Sequence, residues 1–193
     1  MKLVGISGSL TPRSRTTALV ALALEYAATH CGVATELLDL RQVREFCDGR
    51  PFTDYAPATQ RAVLAVEGAD ALIVGTPIYR GSYTGALKNL FDLVRNEPMR
   101  GKIVGFIATG GSDHHFLAVE HHLRPLFSFF GAHTVPGFVY AHNAHFDGDT
   151  LTDPSVQAGL ERLVNDVITL CDRLAGELTG PAYPKIQRKS GEG

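Results

Sequence analysis

Apolar residues recur along the chain in two rhythms. Short unbroken apolar runs alternate with longer stretches in which apolar positions return every three or four residues. Unbroken runs of this kind suit strands covered on both faces, and the longer period suits helices with one buried face. Strands are expected at 2–8, 33–40, 69–75, 102–109 and 134–141. Helices are expected at 14–30, 57–68, 83–95, 114–130 and 154–177. Gly32 falls just past the first helix, where a left-handed cap residue belongs. Ala62, Val63 and Val66 mark the buried face of the second helix, and Pro125 lies inside the fourth. Residues 41–57 and 142–153 show no period and read as loops.

Five strands alternating with five helices predict an α/β fold in three layers, with a five-stranded parallel sheet between helices. Right-handed crossovers leave few arrangements, and the flavodoxin-like strand order 2-1-3-4-5 is the expected one. The chain has 193 residues and no internal repeat, so one domain over 1–179 is expected. The Pro-, Lys-, Ser- and Gly-containing tail at 180–193 is expected to be disordered.

Composition narrows the function classes. Hydrophobic residues make up 45% and charged residues 20%, so the chain can build a core without disulfides or metal. A net charge of −2, with Lys and Arg scattered, offers no nucleic-acid footprint. Three cysteines without a CxxC pair read as reduced thiols. The short first apolar run is no signal peptide, and nothing approaches a membrane span in length, so a cytoplasmic protein is expected.

Candidate chemistry lies in three loops that follow strands. The first, Gly8-Ser9-Leu10-Thr11-Pro12-Arg13-Ser14-Arg15-Thr16-Thr17, opens a helix with four hydroxyls beyond Ser9 and two guanidiniums. A helix start offers unpaired N–H groups and partial positive charge to an anion, and hydroxyl and Arg donors suit a terminal phosphate. The loop has neither the GK[ST] of a Walker A sequence nor the glycines of GxGxxG, which demotes ATP and Rossmann-type dinucleotide binding. The competing reading is an ordinary turn with Ser14 as N-cap and the arginines in solvent. The second runs from Gly75-Thr76-Pro77-Ile78-Tyr79-Arg80-Gly81-Ser82 into Gly85 and the following helix. A proline-stiffened turn bearing an aromatic, beside glycines, suits a planar heteroaromatic ring. The third, Thr109-Gly110-Gly111, could aim backbone N–H groups at the electron-rich end of that ring. Eight histidines carry no i, i+4 metal pair, and no metal site is expected.

Together these segments resemble the NADPH-dependent FMN reductase family, over residues 1–145. The resemblance is carried by Gly8-Ser9 with Ser14-Arg15, by Thr76-Pro77-Ile78-Tyr79 with Ser82, Gly85, Ala86, Leu87 and Lys88, by Thr109-Gly110-Gly111, and by Leu117-Ala118-Val119 with Leu123, Arg124 and Pro125. It implies hydride transfer from NADH or NADPH to FMN, with Ser9, Ser14, Arg15, Thr16 and Thr17 on the phosphate. Pro77, Ile78, Tyr79, Ser82, Thr109, Gly110 and Gly111 would meet the ring. Many members have Pro-Arg directly after Gly-Ser where this chain has Leu10-Thr11, so Arg13 or Arg15 takes that arginine's place. No catalytic acid or base is implied, and Arg80 is either a nicotinamide contact or a solvated loop arginine.

The resemblance also implies supply of reduced FMN to an FMNH2-dependent monooxygenase, and a homotetramer. A π-helical bulge at His121-His122, ahead of Pro125, would fit an interface helix in such relatives. Phe116, Leu117, Leu126, Phe127, Phe129 and Phe130 exceed one helix's own needs and read as the interface. Rival readings are a quinone or azo-compound reductase with tightly held FMN, and a flavodoxin-like electron carrier. The weak net charge counts against a carrier.

Overall fold

The computed structural model describes residues 1–112, 115–174 and 180. Strands β1 (Lys2–Ser7), β2 (Ala34–Asp39), β3 (Ala71–Pro77) and β4 (Ile103–Gly110) are all parallel. The sheet order is β2-β1-β3-β4-β5, as the flavodoxin-like topology requires. Along β1, β3 and β4, alternate side chains enter two cores. Val4, Ile6, Leu72, Val74, Val104 and Phe106 face one side, and Leu3, Ile73, Ile103 and Ile107 face the other. Helices α2 (Pro57–Glu67), α3 (Gly85–Leu93) and α4 (Arg124–Phe129) cover the first face. Helices α1 (Arg15–Cys31) and α5 (Pro154–Leu174) cover the second.

Helix α1 begins and ends where its sequence says it should. Ser14 in extended backbone accepts from Thr17 N–H, and Gly32 closes the helix at φ +65°. Its buried residues Leu19, Val20, Ala23, Leu24 and Ala27 follow the helical period. The helix sits unusually close to the sheet: a Cβ on Gly75 would lie 2.4 Å from Val20 Cγ2. That approach sets the start of α1 directly beside the ends of β1 and β3.

The fifth strand departs from expectation. It splits into β5 (His133–Thr134) and β6 (Val139–His142), both parallel to β4. Between the paired positions Val104↔Thr134 and Ile107↔Val139, β4 has two residues and its partner has four. Pro136 cannot donate to a ladder, and Gly137 turns at φ +73°, so the strand bulges. Arg124 closes the bulge: its guanidinium donates to Thr134 Oγ1 (2.7 Å), Val135 O (3.0 Å) and Gly137 O (2.8 Å).

The fourth helix carries the π-helical bulge expected at His121-His122, and its regular part is shorter than expected. Residues Val119–Leu123 wind as one π-helical turn, and regular α4 starts only at Arg124. Pro125 is the second residue of α4, which continues without a break from the π turn, so the irregular turn sits where the proline's missing N–H interrupts the helical ladder. The apolar set divides. Phe127 is fully buried against Phe91 and Phe106, and Phe130 is 4% exposed, so both belong to the core. Phe116, Leu117 and Phe129 remain about half exposed, at 48%, 49% and 49%. The loop expected at 142–153 contains a hairpin of β7 (Phe146–Asp147) and β8 (Thr150–Leu151). The start of the expected fourth helix at His114, the end of the last one at 175–177 and most of the expected tail lie outside the described residues. No helix among the described residues is long and apolar enough to cross a membrane.

Candidate functional site

The loops after β1, β3, β4 and β6 meet at the carboxyl edge of the sheet. The first is tied down by its neighbours: Gly8 N donates to Gly75 O (2.8 Å), and Thr84 Oγ1 donates to Gly8 O (2.7 Å). Within it, Ser9 and Thr11 pair their hydroxyls at 2.9 Å. Thr16, 2% exposed, pairs its hydroxyl with that of Thr109 at 2.6 Å, joining the first loop to the fourth strand's end. Thr17 pairs instead with Ser7 at 2.7 Å. The two arginines diverge. Arg13 is exposed and its guanidinium meets no partner among the described residues. Arg15 turns away to Asn143 and Gly148 and lies over the Phe146 ring.

The loop after β3 is a tight two-residue turn. Tyr79 N donates to Ser82 O (2.9 Å), and Ser82 N donates to Tyr79 O (3.1 Å). Arg80 at φ +54° and Gly81 at φ +79° occupy its corner, both left-handed. Glycine takes that conformation freely, whereas Arg80 pays about 1–2 kcal/mol for it. The turn presents Tyr79 54% exposed, beside Ile78, whose N–H donates to Thr109 O (2.7 Å). After β4, a Cβ on Gly110 would lie 2.1 Å from the Tyr140 hydroxyl, which donates to Ser112 O. Only glycine leaves that hydroxyl its place.

These loops enclose a cavity of about 320 Å³, within the size range of ligand sites. Ser9, Arg13, Ser14, Arg15 and Thr16 line one end, and Pro77, Ile78, Tyr79, Thr109, Gly110 and Gly111 line the other. Thr17 and Ser82, expected at the site, do not line it. They support it from behind, Thr17 through Ser7 and Ser82 through Tyr79. A wall that sequence reasoning missed comes from Ala141, His142, Asn143, Phe146 and Asp149. Its signal was present in Phe146-Asp147-Gly148-Asp149-Thr150-Leu151, where Gly148 at φ +59° opens a two-residue hairpin turn. Asp153 anchors the base of that wall by capping α5. The Ser155 hydroxyl, then the Val156 N–H, hold its carboxyl below the usual carboxylate range.

A larger cavity of about 580 Å³ lies on the α2–α3–α4 side, lined by Phe52, Tyr55, Phe91, Leu126 and Phe129 among others. Its cations are already matched, Arg50 by Asp48, Lys88 by Asp92 and Arg95 by Glu67. It touches none of the three candidate loops, so the smaller cavity is the candidate site despite its size. There, one end offers groups that suit an anion. The start of α1 carries no acidic residue in its first turn, and Arg13 supplies an uncommitted charge. A flat, partly apolar platform with adjacent backbone donors stands at the other end. Those two ends fit a phosphate joined to a planar ring, as in FMN.

Fold and cleft together define a flavodoxin-like α/β protein with a candidate ligand cleft at the carboxyl edge of its sheet. The model of the NADPH-dependent FMN reductase family matches residues 1–146, and the chain belongs to that family. It is 45% identical to an NAD(P)H-dependent FAD/FMN reductase of Geobacillus thermodenitrificans, over 87% of this chain and 92% of the relative. It is 42% identical to the NADH-dependent FMN reductase SfnF of Pseudomonas putida, over 86% of this chain and 91% of the relative. Among solved structures, the apo form of the NADH:FMN oxidoreductase EMOB superposes with a TM-score of 0.73. It is 30% identical, and the match covers 91% of each chain.

Proposed function

We propose that this protein oxidises NADH or NADPH at the expense of FMN in the 320 Å³ cavity and hands reduced FMN to an FMNH2-dependent monooxygenase. The observation that carries the reading is the polarity of the cavity. A guanidinium with no partner among the described residues and a helix start stand at one end, and a Pro-Ile-Tyr platform with two glycines stands at the other. Bound FMN supplies the redox chemistry, and the protein supplies position and electrostatics.

In this reading the first loop holds the phosphate through Arg13, the Ser9, Ser14 and Thr16 hydroxyls and the free N–H groups of α1. Pro77, Ile78 and Tyr79 form the floor for the ring, and the N–H groups of Gly110 and Gly111 face the pyrimidine edge, where negative charge collects on reduction. Tyr79, half in solvent, leaves room for the nicotinamide to stack on the open face. Thr17 and Ser82 act behind this surface. The exposed Phe116, Leu117 and Phe129 offer part of an interface for a homotetramer.

The test follows nicotinamide absorbance with purified protein and added FMN. Oxidation that requires FMN and saturates with it supports the proposal. Absence of oxidation with either nucleotide, while FMN still binds, overturns it and leaves an electron carrier.

A further inference from the structure

Arg15 stands where the resemblance puts a phosphate ligand, yet its guanidinium is spent elsewhere. Nε and Nη2 donate to Gly148 O at 3.1 and 2.7 Å, and Nη1 donates to Asn143 Oδ1 at 2.5 Å. Its guanidinium carbon lies 5.0 Å from the centre of the Phe146 ring. All three partners belong to the segment that forms the cavity's fourth wall. At its base the wall is held by apolar packing, with Phe146 and Leu151 against the core beneath α1 and α5. Its hairpin has only two residue pairs, Phe146↔Leu151 and Asp147↔Thr150. An isolated two-stranded hairpin is marginal in water. Its base is closed by Thr152 N and Asp153 N donating to His145 O, at 3.0 and 3.3 Å. Its tip, at Gly148, is held by Arg15.

We infer that Arg15 is a positioning residue that latches the β7–β8 hairpin against the first loop, and that Arg13 alone supplies the arginine charge for the phosphate. The inference rests on the flavin reading of the cavity. Turning Arg15 toward a phosphate would break all three bonds and release the wall that brings Asn143, Phe146 and Asp149 to the ligand. The geometry also demands arginine. Its planar fork reaches a backbone carbonyl and a side-chain amide at once, which a lysine ammonium on a flexible stem cannot reproduce.

The test compares FMN with riboflavin, which lacks the phosphate, by flavin fluorescence titration of the wild type, Arg15→Gln, Arg15→Lys and Arg13→Gln. Amide hydrogen exchange of the hairpin is measured with no flavin present. A latch predicts that Arg15→Gln and Arg15→Lys weaken both flavins by the same factor, on the order of tenfold. Arg13→Gln should weaken FMN and leave riboflavin unchanged. Exchange at 146–151 should quicken in both Arg15 variants while β3 stays protected. The inference is overturned if Arg15→Gln weakens FMN alone, if Arg15→Lys restores FMN affinity as a phosphate-facing charge would, or if hairpin exchange does not change. A wild type that binds neither flavin sinks the flavin reading instead, and the exchange result then decides the latch by itself.

Discussion

The hydroxyl pair Thr16–Thr109 joins the two ends of the candidate site, and its energy can be worked out. Both residues are buried, at 2% and 8% exposure, and their oxygens lie 2.6 Å apart. Valine matches threonine in shape but removes the hydroxyl. A single Thr16→Val or Thr109→Val substitution therefore leaves one buried hydroxyl without its partner, which costs about 1–3 kcal/mol. We take about 1.5 kcal/mol for each. The double variant removes both polar groups and leaves an apolar contact of the same shape, a change that can be nearly neutral. We expect about 1 kcal/mol for the pair, against about 3 kcal/mol if the two sites were independent, a coupling of about 2 kcal/mol. Urea denaturation of the four proteins measures it, provided the m-value is constant across the cycle. In a chain of this size each single variant should also lower Tm by about 3–6 °C. Additive stability losses, with coupling below about 0.3 kcal/mol, would refute the idea that this bond registers the two loops.

Gly110→Ala should weaken FMN by about tenfold, since the new Cβ would displace the Tyr140 hydroxyl from 2.1 Å and with it the bond to Ser112; unchanged affinity in a fluorescence titration would show that the loop yields freely. Arg124→Ala should destabilise the protein by about 2–4 kcal/mol, because the bulge's carbonyls lose a charged donor in a half-buried setting. Calorimetry showing a Tm within 1 °C of wild type would mean that water replaces the guanidinium there.

The parts of the fold legible in the sequence were those set by local pattern. Strands β1, β3 and β4 are unbroken apolar runs, and α1 carries its own N-cap and left-handed glycine. The first loop and the Pro77-Ile78-Tyr79 turn were legible as neighbours at one cavity because each joins a strand end to a helix start. What the pattern hid depends on partners far along the chain. Arg15 contacts residues 128 and 133 positions away, which no spacing rule reveals. Thr17 and Ser82 have the right side chains in the right loops, but neighbouring hydrogen bonds turn them away from the cavity. The fourth helix was legible in part: the π bulge at His121-His122 was expected, but not which apolar side chains it turns inward, because the inserted residue rotates everything after it. Phe127 and Phe130 thereby swing inward, and Phe129 is left outside.

Two irregularities, the bulge between β5 and β6 and the π turn before α4, answer each other. The bulge takes two extra residues out of the ladder and leaves the carbonyls of Val135 and Gly137 facing away from β4. The π turn ends at Leu123, so the next side chain, Arg124, reaches both carbonyls while its guanidinium lies 5.5 Å from the Phe106 ring centre. With the bulge fixed, β6 pairs again at Val139 and runs in register to Gly110↔His142. That register puts His142 beside the glycine loop and starts the chain toward Asn143, the hairpin and Arg15. A regular fifth strand would pair with the same end of β4 two residues earlier, at Tyr140. The side chains that close the cavity would then start from the wrong place. The irregular elements therefore locate the fourth wall, and Arg124 and Arg15 fix its two approaches.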